Sequence, residues 1–294
     1  MFWSDHQRVV VGVDGSTTSA AAARWSATMA LRAKSPLHIA TAVQDPALYM
    51  AGAIMVLPTE GWEQQRRIAE KHVADLVGTI RESHPGLLVT TEVSAGSAAE
   101  MLVRFSHSAG LVVVGNSGTG MMASMLLGST AKTVLASAVC PVVVWREVTD
   151  VTDSSVVVGV DGSATSEAAI SHAFELASNL HVSLVAAHAW NPVSEAGGAM
   201  LPGLVDWAGL EQEGRALLTE SLAGWKEKYP NVAIETVLRQ GNAAHVLVEL
   251  SRTTQLVVVG SHGRRSVARL VLGSTSSNLA YHAHCPVMVC KGVQ

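Results

Sequence analysis

Only three cysteines occur in 294 residues. An odd and sparse set in so long a chain excludes a disulfide-stapled scaffold. Charge is scarce as well: charged residues make up 15%, and 20 Lys and Arg against 24 Asp and Glu leave a formal charge of 20 − 24 = −4. Without a basic excess there is no electrostatic footprint for nucleic acid, and no such partner is expected. Low charge combined with 48% apolar residues excludes a disordered chain and allows a sizeable core. Mean hydropathy is +0.29, high for a water-soluble protein. Even so, no run of 18 residues is free of charged or strongly polar groups, so no membrane span is expected. The start, Met1-Phe2-Trp3-Ser4-Asp5-His6, lacks the basic residues and long apolar stretch of a secretion signal. The expected location is the cytoplasm, with the thiols reduced.

What the chain does contain is itself, twice. Val9-Val10-Val11-Gly12-Val13-Asp14-Gly15-Ser16 recurs identically as Val156 to Ser163. Leu111 to Gly115 recurs as Leu256 to Gly260, Leu127 to Thr130 as Leu272 to Thr275, and Cys140-Pro141-Val142 as Cys285-Pro286-Val287. The offset is 156 − 9 = 147 early and 256 − 111 = 145 late, so one short indel separates the copies. A period this long is a duplicated domain, because solenoid repeats run about 20–50 residues. The polar stretch Glu147–Ser154 reads as the linker, which gives domains 1–150 and 151–294.

Each half alternates strands with helices. Arg8–Val13 is a continuous β-branched run, as in a strand buried on both faces. Ser16 is a good N-cap for an Ala-rich helix over Thr18–Arg32. Strands are expected at Leu37–Val43, Leu88–Val93, Leu111–Gly115 and Val142–Trp145, and helices at Ala98–Ser106 and Ser129–Ser137. Trp62–Ser83 carries Ile68, Val73, Leu76, Val77 and Ile80 near helical spacing, stopped by His84-Pro85-Gly86. This alternation implies right-handed crossovers and a parallel sheet covered on both faces, an α/β doubly wound domain.

In such sheets ligands bind beyond the carboxyl ends of the strands, where the strand order reverses. Two strands per half end in glycine-rich turns. The first is Val13-Asp14-Gly15-Ser16; the second is Gly115-Asn116-Ser117-Gly118-Thr119-Gly120, followed by Gly128-Ser129-Thr130. Glycines let backbone N–H groups approach an oxyanion, and a helix start at Ser129 favours a phosphate. The common phosphate cradles are missing, however. No G-x-x-x-x-G-K-[ST] loop exists, and G-x-G-x-x-G does not follow the first strand of either half. Gly115, Gly118, Gly128 and Ser129 instead follow the pattern G-x2-G-x9-G-[ST], repeated as Gly260, Gly263, Gly273 and Ser274.

With Asp14 and Asp161 after the first strands, this pattern resembles the universal stress protein family, in its tandem, ATP-binding form found in mycobacteria and their relatives. The resemblance covers nearly the whole chain. It implies two five-stranded parallel sheets of order 3-2-1-4-5, two ATP sites per chain, and a role as an ATP-binding regulator in stress response. Asp14 and Asp161 would lie beside ribose, phosphates or a bound Mg²⁺. Ala42 and Ala189 would offer backbone groups to the adenine. Gly115, Gly118, Gly128, Ser129 and Thr130, with Gly260, Gly263, Gly273, Ser274 and Thr275, would hold ribose and phosphates. Asn116, Ser117, Thr119 and Gly120, with Ser261, His262, Arg264 and Arg265, lie between those glycines and count with the two sites. Gly12 and Gly159 count with them too, although close packing of helix on strand explains those two equally well.

Other features point to less. His282-Ala283-His284-Cys285 suits a metal poorly, since its counterpart has no histidine and no second ligand pair stands out, so no metal centre is expected from protein ligands alone. Cys140 and Cys285 read as small buried fillers, and His188 as a packing residue near the nucleotide edge. Ser117 is not in a G-x-S-x-G nucleophile elbow. The loops Tyr49–Leu57 and Ala196–Val205, with Met50, Met55 and Met200, are candidate lids or association surfaces. Arg264, Arg265 and Arg269 face Thr119, Gly120 and Ser124 in the aligned loops, which predicts tighter triphosphate binding in the second half. The expected assembly is a homodimer. Two rivals stand beside the regulator: a slow ATPase, and a scaffold with a vestigial nucleotide site.

Overall fold

The computed structural model describes residues 7–43, 59–117, 127–146, 154–190, 206–263 and 272–292. The chain divides into two compact units, Met1–Glu147 and Val148–Gln294.

The first unit runs β1 (Arg8–Gly12), α1 (Thr17–Arg32), β2 (Leu37–Val43), α2 (Thr59–Ser83), β3 (Val89–Ala95), α3 (Ala98–Ser106), β4 (Ala109–Gly115), α4 (Ser129–Ser137) and β5 (Val142–Trp145). The strands pair in parallel in the order β3-β2-β1-β4-β5. Val9, Val10 and Val11 are fully buried, as are Leu111, Val112 and Val113 beside them, because helices cover both faces. On one side of the sheet α1 meets α2; α3 and α4 pack together on the other.

The second unit repeats this with β6 (Val156–Gly159), α5 (Ala164–Leu180), β7 (Leu184–Trp190), α6 (Trp207–Ser221), α7 (Trp225–Lys228), β8 (Ile234–Gln240), α8 (Ala243–Leu250), β9 (Leu256–Gly260), α9 (Ser274–His282) and β10 (Val287–Cys290). Its order is β8-β7-β6-β9-β10, again parallel. Each unit is therefore a doubly wound α/β domain of order 3-2-1-4-5. The short α7 has no named counterpart in the first unit; its Trp225 and Tyr229 stack against the buried Phe174 of α5.

Two details depart from the sequence expectation. On α2, Val73, Val77 and Ile80 are buried, whereas Ile68 is 49% exposed. Five residues before Val73 is not a multiple of the helical repeat, so Ile68 falls off the buried stripe. Strand β3 starts at Val89, and Leu88 ahead of it is 66% exposed. Cys140 and Cys285 are buried, as expected of fillers. Cys290 is buried too, and desolvation raises its thiol far above the ordinary range. Among the described residues, no helix is long and apolar enough to cross a membrane. The Met-bearing loops lie outside the described residues.

Candidate functional site

Each sheet reverses its strand order between its first and fourth strands, and a cleft opens at their carboxyl ends. In the first unit the cleft measures about 170 Å³ and in the second about 140 Å³.

The aspartate turns come first. Beyond β1, Asp14 Oδ1 accepts from Ser16 N at 3.0 Å, and Asp14 N donates to Ser19 Oγ at 3.2 Å. Ser16 caps α1 by accepting from Ser19 N at 3.1 Å. Gly15, at φ +82°, makes this sharp turn possible. His72 of α2 closes on the turn: a Cβ on Gly15 would lie 3.0 Å from His72 Nδ1. The second unit copies the turn with additions. Asp161 Oδ1 accepts from Ser163 N at 3.0 Å and also from Ser163 Oγ at 2.6 Å. His188, buried on β7, donates from Nδ1 to the Val160 carbonyl at 2.7 Å, which pins the chain just before Asp161. Both serines expected to cap do so.

The glycine framework forms the facing wall. Gly128 N donates to the Asn116 carbonyl at 2.8 Å, and Gly273 N donates to the Ser261 carbonyl at 2.8 Å. One main-chain bond in each unit thus joins two segments that are separate in sequence. The two helices that follow are unusual in how they start. Ser, Asn or Asp side chains cap α1, α3, α5, α6 and α8, but α4 and α9, like the single-turn α7, begin on a glycine with no side-chain cap, here Gly128 and Gly273. A helix start leaves several N–H groups without intrahelical partners, and the helix dipole adds partial positive charge. With no side-chain oxygen to meet them, these N–H groups are open to an anionic ligand. A Cβ on Gly273 would lie 3.1 Å from the Ser261 carbonyl oxygen, so a side chain there would push the two segments apart by a few tenths of an ångström.

In the first cleft the structure brings together Gly12, Asp14, Gly115, Ser117, Gly128, Ser129 and Thr130. The second gathers Gly159, Asp161, Ala189, Gly260, His262, Gly263, Gly273, Ser274 and Thr275. Ala42 is not on the first wall, where Ala40 stands instead, although its counterpart Ala189 does line the second. Asn116 and Ser261 are also off the walls and act through their carbonyls. Gly118, Thr119, Gly120, Arg264 and Arg265 lie outside the described residues. Gly12 and Gly159 serve packing as well as the cleft: a Cβ on Gly12 would come within 2.7 Å of Leu102.

Sequence reasoning missed the apolar side. Ala98, Met101 and Leu102 of α3 line the first cleft, and Ala243, Val246 and Leu247 of α8 line the second. Each pair is 145 apart (243 − 98, 246 − 101, 247 − 102) and stays apolar, a signal available from the repeat offset but not from periodicity alone. The result is a slot with an apolar wall on one side and polar backbone on the other, suited to a flat apolar ring carrying an anionic tail. Among the described residues, no group of three or more His, Cys, Asp or Glu could hold a metal.

Comparison with known proteins bears on this geometry. The model for the universal stress protein family matches residues 6–146 and again 154–291. A universal stress protein of Mycolicibacterium smegmatis is 41% identical over 291 residues, covering 96% of each chain. One from Mycobacterium tuberculosis is 39% identical over 296 residues, again covering 96% of each. Among solved structures, a universal stress protein from Archaeoglobus fulgidus aligns with a TM-score of 0.69 at 16% identity, over 97% of this chain and 98% of that one. Two matches in register and relatives 39–41% identical over 96% of each chain establish that this chain belongs to the universal stress protein family.

Proposed function

We propose that the chain binds two adenine nucleotides, one in each domain (1–150 and 151–294), and acts as an ATP-dependent regulator in stress response. The observation that carries this reading is the glycine-started helix bonded back to a glycine turn, found twice at a strand-order reversal. Such a start offers N–H groups and a dipole to phosphates, while Leu102 or Leu247 gives an apolar surface to a purine. Gly12, Asp14, Gly115, Ser117, Gly128, Ser129 and Thr130, with their counterparts, would hold the nucleotide. Ala42 and Ala189 would serve the adenine, and Gly118 and Gly263 the phosphates. A Mg²⁺ ion carried in with ATP would supply charge neutralisation, and Asp14 and Asp161 have the carboxylate chemistry to meet it.

Nucleotide would act by differential affinity between states of the protein. Chains would pair as homodimers in the cytoplasm. The rival enzymatic reading asks for a general base at the terminal phosphate; the acid–base side chains on the described walls are Asp14, Asp161 and His262.

Mass measurement of the purified protein after denaturation, together with calorimetry against ATP, tests the reading. It expects adenine nucleotide in the preparation, or two equivalents bound per chain, with bound ATP persisting for many minutes. Protein that binds no ATP, and whose melting temperature ATP does not raise, would favour the vestigial scaffold. Turnover near the usual enzyme range of about 1 to 10³ per second would establish the enzyme instead.

A further inference from the structure

Where the first unit carries Ser117, the second carries His262. The main chain that bears this imidazole is fixed from several directions. Ser261 N donates to the Cys290 carbonyl at 2.8 Å, and the Ser261 carbonyl accepts from Gly273 N at 2.8 Å. The His262 carbonyl accepts from Thr165 Oγ1 and, at 3.4 Å, from Ser163 Oγ, both at the start of α5. Its Cα lies 3.4 Å from where a Gly273 Cβ would stand, so the residue sits against the uncapped N-terminus of α9. The ring is oriented by Ser261, 1% exposed, whose Oγ is 2.9 Å from His262 Nδ1. Nε2 is buried, yet it has no hydrogen-bond partner among the described residues. A buried polar atom without a partner costs free energy, and calls for a physical reason. The residue lines the cleft with Gly263, Ser274 and Thr275.

We propose that His262 is a phosphate-recognising residue of the second cleft, donating Nε2–H to a phosphate oxygen of the bound nucleotide. This rests on the nucleotide reading above and deepens it. An imidazole presents one nitrogen as donor and the other as acceptor, and the bond made at one sets the role of the other. The Ser261 hydroxyl can donate to Nδ1, which leaves the proton on Nε2. On the described part of the wall, Asp161 is the charged side chain that shares the cleft with it. A phosphate therefore meets a donor whose orientation is fixed by Ser261. The first unit has no equivalent: Ser117 Oγ is short and bonds Asn116 Oδ1 at 3.3 Å.

The test uses the full-length protein with ¹⁵N-labelled histidine, titrated with ATP and separately with adenosine. The His262 signals are those lost in His262→Phe. Nε2 is expected at the protonated, donor position already in the free protein; ATP should shift its signal as a hydrogen bond to phosphate forms, and adenosine should leave it unmoved. By calorimetry, His262→Phe should weaken one of the two ATP equivalents about tenfold and leave adenosine affinity unchanged. Ser261→Ala, which keeps the imidazole but frees its orientation, should weaken the same equivalent by a few-fold. Should His262→Phe fold poorly, His262→Gln supplies the assignment in its place. ATP filling both clefts with the His262 nitrogens unmoved and the phenylalanine variant at wild-type affinity would overturn this inference alone. Failure of both ATP and adenosine to bind would overturn the nucleotide reading and this inference with it.

Discussion

The two units carry the same eight-residue turn, Val-Val-Val-Gly-Val-Asp-Gly-Ser, and hold it differently. In the first unit the turn relies on main-chain bonds to Asp14 and Ser19 and on the ring of His72 from α2. The second adds side-chain bonds from Ser163 to Asp161 and from His188 to Val160, and it ties Thr165 to the His262 carbonyl. Identical sequence at the motif therefore does not mean an identical site. Of these three bonds only the one from His188, opposite Thr41 in the first unit, is donated by a residue that differs; Ser163 and Thr165 repeat Ser16 and Thr18, and the second cleft is the more tightly braced all the same.

The largest expected contrast is in acid. His172, on α5, is buried, and desolvation pushes its imidazole from the ordinary 6.5 down to about 4. Its counterpart at the 147-residue offset (172 − 147 = 25) is Trp25, which does not titrate; the first unit's own desolvated imidazole, His38, is also lowered, by burial and Arg8, with Glu92 opposing the shift. Between those two values the unfolded chain binds the proton and the folded one does not, so stability rises with pH through that window. The contribution is complete above about pH 6.5 and is lost as pH falls toward 4, up to ~3 kcal/mol in all. Hydrogen exchange at pH 7 and pH 5 should show peptides from 154–190 losing protection first, and His172→Leu should flatten the difference. Equal loss in both units would remove acid sensitivity from the comparison.

Steric tolerance gives the next contrast. A Cβ on Gly260 would stand 2.8 Å from the Thr165 carbonyl carbon, whereas one on Gly115 would find nothing nearer than 3.4 Å. Gly260→Ala is expected to cost ~2 kcal/mol by forcing backbone to move, and Gly115→Ala under ~1 kcal/mol. Urea midpoints at unchanged slope measure both, and equal shifts would show that the second unit is no more tightly packed there.

The smallest contrast is in the caps. Ser16→Ala should cost ~1 kcal/mol, the usual value of an N-cap. Ser163→Ala should cost more by about half to one and a half kcal/mol, because it also removes the 2.6 Å bond to Asp161. It should weaken ATP in the second cleft while Ser16→Ala leaves that cleft untouched. Matching thermal shifts for the two variants would mean that the Ser163–Asp161 bond contributes nothing.

Much of this was legible beforehand because the signals are local. The β-branched runs gave β1, β4 and their copies, and serines ahead of Ala-rich stretches gave the starts of α1 and α5. The glycine spacing marked the segments that line both clefts. What escaped is contact across elements. Nothing near His188 says that its ring reaches Val160, nor does an amphipathic α3 announce that Leu102 floors a cleft. Ile68 misled because it is apolar and near helical spacing but off the buried face. The brace from Thr165 to His262 spans 97 residues, a distance at which no window of sequence carries information.

The bond from Gly128 N to the Asn116 carbonyl, like that from Gly273 N to the Ser261 carbonyl, also bears on how these domains can diverge. Each closes a loop at its base, so the residues between need not specify the geometry of the ends. Once the ends are clamped, doubling the length of the connecting segment adds only ~0.6 kcal/mol of closure entropy. Substitution and insertion there are cheap, which lets one copy carry Met121 and Met122 and the other Arg264, Arg265 and Arg269 over the same clamp. The clamped segment is thus the natural place to graft a new recognition loop, and the cradle should survive the exchange.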